Sequence, residues 1–246
     1  MPLRRRHGPG DAQCARVRRL YSGRSSGVEK GAELLRNPLF DDRTQAGEAL
    51  ARELLDRLGE TPAPLVLALP RGGVPVGLPV AQAFGVPLDV LVVRKLGVPG
   101  HSELALGAVS YADTRVLNEE VVSSFAISPE VIEHVTLRES EEVERRERLY
   151  RAGRPPLEPA GRRVLLIDDG LATGASMRAA VELVKQHQPA QIVVGVPVAA
   201  REVSDGLARL AHEVVVLHTP QPFMAVGRWY RHFEQVSDEE VRELLS

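Results

Sequence analysis

Two adjacent acids followed by a small, hydroxyl-rich turn carry the clearest chemistry in this chain, in the run Asp168-Asp169-Gly170-Leu171-Ala172-Thr173-Gly174-Ala175-Ser176. Paired carboxylates can accept hydrogen bonds from a diol or hold a hydrated divalent cation. Thr173, Gly174, Ala175 and Ser176 are small enough for backbone N–H groups to approach an anion closely. A helix opening near Ser176 would aim its positive dipole end at the same spot. Carboxylates for hydroxyls beside amides for phosphate describe a ribose 5-phosphate. The preceding run Val164-Leu165-Leu166-Ile167 lacks polar alternation, as a parallel strand covered on both faces does. The acids therefore leave the C-terminal edge of a strand, which is where open α/β sheets place ligands.

Two further clusters fall at predicted strand ends. Pro70-Arg71-Gly72-Gly73 follows a strand over residues 65–69, near Asp168 across the sheet edge. Arg71 offers a planar fork of donors suited to phosphate oxygens, although a plain strand-to-helix turn also accounts for Arg-Gly-Gly. Arg94-Lys95 ends a second strand over residues 88–93, before a loop containing Gly97, Pro99, Gly100, His101, Ser102 and Glu103. These interruptions predict a loop built to move. His101 and Glu103 could act as acid or base within it, or simply face solvent.

The elements that must position these residues alternate. Asp41 or Asp42 can cap a helix carrying Ala46, Leu50, Leu54, Leu55 and Leu58 and ended by Gly59. Helical patterns follow over 73–84, from Ser128 through Arg148, over 178–188 and over 199–211, and further strands over 192–198 and 214–218. Residues 108–110 and 115–117 suggest a hairpin around Tyr111-Ala112-Asp113. The charges of the long helix read as a solvated face. Five strands with helical crossovers predict an α/β fold with a doubly wound, mostly parallel five-stranded sheet and flanking helices.

Composition sets the outer limits. With 246 residues, 43% of them hydrophobic, the chain can build one α/β domain with appendages. A formal net charge of −2 gives no global attraction to nucleic acid or anionic membrane. Cys14 is the only cysteine, so no intramolecular disulfide can form, which fits a reducing cytoplasm. No apolar run approaches the roughly 20 residues that span a bilayer. Residues 1–36 are basic and poor in apolar side chains, and read as a disordered extension or a nucleic-acid-binding arm. Residues 37–246 are the folded domain.

The run through Ser176 resembles the 5-phosphoribosyl 1-diphosphate (PRPP) signature of type I phosphoribosyltransferases: four apolar residues, two acids, three variable positions, then Thr-Gly-x-Ser/Thr. The resemblance implies Asp168 and Asp169 on the ribose hydroxyls and the backbone of Ala172, Thr173, Gly174, Ala175 and Ser176 on the 5-phosphate. It puts diphosphate on Arg71, Gly72 and Gly73, with Lys95, preferred over Arg94, at the hinge of a lid that closes over PRPP. Lys95 also reads as simple surface charge. The implied reaction transfers ribose 5-phosphate to a small nitrogenous acceptor, with Mg²⁺ carried by PRPP near Asp168 and Asp169 rather than held in a dedicated cage. Ala172 stands where relatives that salvage 6-oxopurines place an acid, and Leu-Ala-Thr-Gly looks closer to the adenine-type wording. A small hood formed by the C-terminal segment 220–230 would face the acceptor, with Phe223 as the candidate stacking residue. Trp229, Tyr230 and Phe233 at close helical spacing read rather as core residues sealing a domain edge. A homodimer is compatible with the resemblance, and a PRPP-sensing regulator or a non-catalytic PRPP-binding domain is the alternative to an enzyme.

Overall fold

The computed structural model describes residues 38–246 apart from Thr61, Gly100 and Asp113, with the backbone alone at His101, Ser102 and Glu103. The basic segment 1–36 and the side chains of His101 and Glu103 thus lie outside the described residues. Helix α1 (Arg43–Leu58) starts where the capping pattern predicts, with the Asp42 side chain accepting from the Gln45 N–H and Gly59 ending it at a φ of 65°. Strand β1 (Leu65–Ala68), helix α2 (Gly73–Ala83) and strand β2 (Leu88–Val90) form the first βαβ unit. The second half runs β6 (Arg163–Ile167), α5 (Ala175–Lys185), β7 (Gln191–Val198), α6 (Arg201–Leu207) and β8 (Glu213–His218). These five strands form one parallel sheet in the order β2-β1-β6-β7-β8.

Why the sheet is wound on both faces follows from residue alternation. Val66, Leu165 and Val193 turn to Leu50, Leu54 and Val76 of α1 and α2. Their neighbours Leu67, Leu166 and Val194 turn the other way, to Met177 and Val181 of α5. Because each strand buries both faces, its sequence shows no polar alternation.

The segment between the two halves departs from the sequence reading. Where a mobile loop is predicted after Arg94-Lys95, the chain forms β3 (Arg94–Val98) and β4 (His101–Val109), extended by β5 (Arg115–Leu117) into a separate three-stranded antiparallel sheet. Leu96, Val98 and Leu106 are buried on one face of this ribbon and join the main core. Register shifts around Gly97 explain why the alternation is hard to see in the sequence. Strand β2 also stops at Val90, three residues early, where the chain turns into the ribbon.

Helix α3 (Glu119–Ser124) and helix α4 (Pro129–Arg151) follow, the latter capped by Ser128 with proline in its first turn. The face of α4 expected to be solvated is split. Ile132, Val135, Val143 and Tyr150 pack into the core, and Glu139 and Arg151 are buried with them. The C-terminal segment forms a short 3₁₀ turn, Val226–Trp229, and a helix absent from the sequence reading, α7 (Asp238–Leu245).

The lower end of α4 is fixed by a buried ion pair. Arg151 donates to Asp89 of β2 through Nε at 2.8 Å and Nη2 at 3.2 Å, and through Nη2 to the Pro155 carbonyl at 2.7 Å. Arg151→Ala would leave the half-buried Asp89 carboxylate with only the more distant Arg154, at 3.8 Å, and should destabilise the protein by about 3 kcal/mol. Urea unfolding checks this, and Asp89→Asn in the same chain should restore part of the loss.

Candidate active site

Strands β1 and β6 are hydrogen-bonded neighbours in register from Leu65 with Val164 to Ala68 with Ile167, so the loops that follow them leave the sheet side by side. The structure therefore brings Pro70-Arg71-Gly72-Gly73 against Asp168-Asp169. The approach is too close for any side chain on the first loop. A Cβ at Gly73 would sit 2.7 Å from the Ile167 carbonyl oxygen, and one at Gly72 would fall on the Asp169 carboxylate. The Pro70–Arg71 peptide is cis.

The two acids have different partners. Asp168 accepts only from its neighbour, the Asp169 N–H, at 2.9 Å among the described residues. Asp169 is held by two residues from other parts of the chain, Arg43 and Tyr230. Arg43, in the first turn of α1, donates through Nε to Asp169 Oδ2 at 2.9 Å, and through Nη1 to the Glu234 carbonyl at 2.9 Å. The Arg43 guanidinium lies 3.7 Å over the Phe233 ring. Tyr230 donates its hydroxyl to the Asp169 carbonyl at 2.6 Å. Burial pushes both carboxyls up, and the negative charge of Asp169 adds to the rise at Asp168, which stands well above the ordinary carboxylate range. Arg43 opposes the rise at Asp169. Sequence reasoning missed Arg43 and Tyr230, since neither lies within reach of a local motif.

The turn after the acids is an exposed cradle. Its base is pinned by Leu171, whose N–H donates to the Val198 carbonyl at 2.9 Å and whose carbonyl accepts from Ala200 at 3.0 Å. Gly174 adopts a φ of 69°, a left-handed conformation that turns the chain into α5. Ala172, Thr173 and Ser176 are exposed. Among the described residues the N–H groups of Thr173, Gly174 and Ser176 have no acceptor, and the Ala175 N–H reaches only the Thr173 hydroxyl, at 3.4 Å. A row of free amides at a helix N-terminus is suited to an anion with several oxygens.

The predicted cations stand on two sides. Arg71 is turned toward α7, where Nη1 lies 3.4 Å from Asp238 Oδ1, an oxygen that also accepts from the Tyr150 hydroxyl at 2.5 Å. Lys95 is exposed on β3 with no ion pair among the described residues. It lines a cleft of about 810 Å³ between the ribbon and α4, which Ser176 also lines. Phe223 is not among the described residues lining that cleft. It packs against Trp229 at a ring-centroid distance of 6.3 Å, in a small core with Phe40, Val198 and Tyr230. Among the described residues no three of His, Cys, Asp or Glu cluster closely enough to hold a metal ion. No helix there is long and apolar enough to cross a membrane.

Comparison with known proteins bears on the same loops. Residues 33–223 match the family model described as phosphoribosyl transferase domain. Two Mycobacterium tuberculosis proteins, from strains CDC 1551 and H37Rv and each named "Putative phosphoribosyl transferase", are 44% identical over 207 residues, which is 84% of this chain and 46% of theirs. The chain thus spans about half the length of the curated relatives it matches. The crystal structure of TT1426 from Thermus thermophilus is 45% identical, with a TM-score of 0.76 over 84% of this chain and 97% of that one. The matched span holds both loops that meet at the sheet edge, and the chain belongs to the phosphoribosyl transferase domain family.

Proposed function

We propose that this chain is a phosphoribosyltransferase that displaces diphosphate from PRPP with a nitrogenous acceptor. The observation that carries the reading is the meeting, at one sheet edge, of the Asp168 carboxylate with the acceptor-free amides of Thr173, Gly174 and Ser176. Ribose hydroxyls donate to Asp168 and the 5-phosphate takes the amides. Asp169 supports the ribose side while Arg43 holds it in place. The diphosphate lies over the loop of Gly72 and Gly73, which the lack of side chains lets pack directly against the acid turn, and Arg71 and Lys95 supply positive charge to the departing group. The C1–O bond to diphosphate breaks as the acceptor nitrogen forms its bond to C1, and the charge that develops on the ribose ring is stabilised by Asp168 and Asp169.

Mg²⁺ fits this site as an ion that arrives on the diphosphate. Asp169 is already engaged by Arg43, so Asp168 is the carboxylate left to face it, and hard oxygen donors suit the ion. Bound there, it neutralises diphosphate charge. The direct test is to incubate the protein with PRPP, Mg²⁺ and a panel of nucleobases and related heterocycles. Acceptor-dependent diphosphate release is expected, and folded protein that neither binds PRPP nor releases diphosphate would defeat the proposal.

Asp168→Asn separates function from stability. It should weaken PRPP binding about 10- to 100-fold, as loss of a hydrogen bond to a charged acceptor does. Its effect on folding should have the opposite sign. A carboxyl raised by burial binds its proton more tightly folded than unfolded, so its contribution is favourable at low pH and is lost as pH rises through the raised value. The asparagine variant should therefore melt higher than the parent at pH 8, with the gap closing toward pH 4, as thermal melts across that range will show.

Arg43→Gln tests the asymmetry of the acid pair. Without the guanidinium, Asp169 should hold its proton to higher pH, and the acid limb of the PRPP-binding profile should move up. Asp168, Arg43 and Tyr230 are the titratable or charged groups that face Asp169. Affinity at neutral pH should fall about tenfold, and Arg43→Lys should recover part of both effects. Calorimetric titration of PRPP at several pH values reads the two together.

A further inference from the structure

The cleft shared by Lys95 and Ser176 extends well beyond the donor loops, along the ribbon to α4. Its charge is one-sided. Arg94 on β3 and Arg138 on α4 both converge on Glu139, which is 7% exposed. Glu139 Oε1 accepts from Arg138 Nε at 3.1 Å and Nη2 at 2.9 Å. Its Oε2 accepts from Arg94 Nε at 2.9 Å, with Arg94 Nη2 ion-paired to it at 2.7 Å. Both carboxylate oxygens are thereby engaged by arginine, so Glu139 serves to set two guanidiniums in place. Arg94, Arg138 and Lys95 against this one acid leave the cleft cationic.

The walls between these charges are apolar. Val98, Pro99 and Leu104 line the cleft from the ribbon and Val135 from α4. A bare diphosphate has no use for such walls, whereas a flat heterocycle with an anionic edge uses both features. A second cleft along α4, of about 890 Å³, shows the contrast, being lined by Glu133, Glu141 and Glu144 against a single cation, Arg115. The cationic character therefore belongs to the cleft that meets the phosphate cradle, and is not a general property of α4.

We propose that the acceptor seats in the cleft between the β3–β4 ribbon and α4, and that it is an anionic, carboxylate-bearing heterocycle held by Arg138 and Arg94. The assignment rests on the PRPP-dependent reading above and places the acceptor away from Phe223. A nitrogen nucleophile bound here approaches the ribose from the α4 wall of the cleft, while the diphosphate loop lies across the sheet edge at Gly72 and Gly73.

Matched pairs test the charge requirement on the full chain. Orotate against uracil, and nicotinate against nicotinamide, are titrated calorimetrically with ribose 5-phosphate and Mg²⁺ filling the donor half, so that no turnover intervenes. PRPP with Mg²⁺ is titrated separately. The carboxylate member of at least one pair should bind about tenfold or more tightly than its neutral partner, as expected for one charge-assisted hydrogen bond. Arg138→Gln should reduce that preference to less than about threefold, Arg138→Lys should retain part of it, and PRPP affinity should stay unchanged in both variants. Equal or tighter binding of the neutral partners, no binding of any probe at millimolar concentration, or an equal loss of PRPP affinity in Arg138→Gln would each overturn the proposal while PRPP binding by the parent still stands. Failure of the parent to bind PRPP would remove both readings.

Discussion

Two carboxylates at the end of a buried strand repel each other and lose hydration together, and the contact that makes the arrangement tenable is the one between Arg43 and Asp169. It gives Asp169 a permanent counter-charge at 2.9 Å, in a place where both side chains are nearly removed from solvent. A pair this dry is costly to form and more costly to leave half-made. The surrounding structure can be read as what is needed to keep it whole. The guanidinium is stacked on Phe233 and tied to the Glu234 carbonyl, and Tyr230 holds the Asp169 backbone, so the arginine and the acid are each fixed independently of the other.

That constraint gives the C-terminal segment a different part from the one its aromatic residues suggest. Phe40 N–H and Arg231 N–H exchange backbone hydrogen bonds across the segment, with the Trp229 and Phe40 carbonyls at 3.1 and 2.9 Å. The contact brings the start of α1 and the turn Val226–Trp229 into one small core. Gly170 completes the fit, because a Cβ there would come within 2.6 Å of Val226. The aromatics act as a clamp on the acid turn. Tyr230 and Phe233 lie beyond residue 223, where the family match ends, so the clamp belongs to a part of the chain that the shared family pattern does not cover.

What can be read from the sequence divides along the same line. The parallel sheet, the capped first helix and the acid-to-cradle run are legible because each is encoded by neighbours: unbroken apolar runs, a capping aspartate, small residues next to acids. The ribbon reads as a loop because glycine, proline and a register shift at Gly97 break the alternation by which a strand is recognised. Arg43 is invisible for another reason. It contacts a residue 126 positions away, and nothing in its own neighbourhood distinguishes it from any arginine in a first helical turn. The buried face of α4 is hidden likewise, since Glu139 and Arg151 look like solvated charges until Arg94, Arg138 and Asp89 are brought to them.

The proposed donor and acceptor sides are therefore built by different means. The donor side uses backbone: free amides at the start of α5 and two glycines whose lack of side chain is enforced by contact with the acid turn. Such a surface tolerates little change, because an added methyl group at Gly72 or Gly73 meets protein before it meets ligand. The acceptor side uses side chains on α4 and the ribbon, oriented by one another through Glu139 and anchored to the sheet at a distance through Arg151 and Asp89. Neither Arg94 nor Arg138 lies on a strand of the parallel sheet. On the proposed reading such a fold holds one sugar phosphate constant and varies what it is joined to, and the variable half is the half that no short motif records.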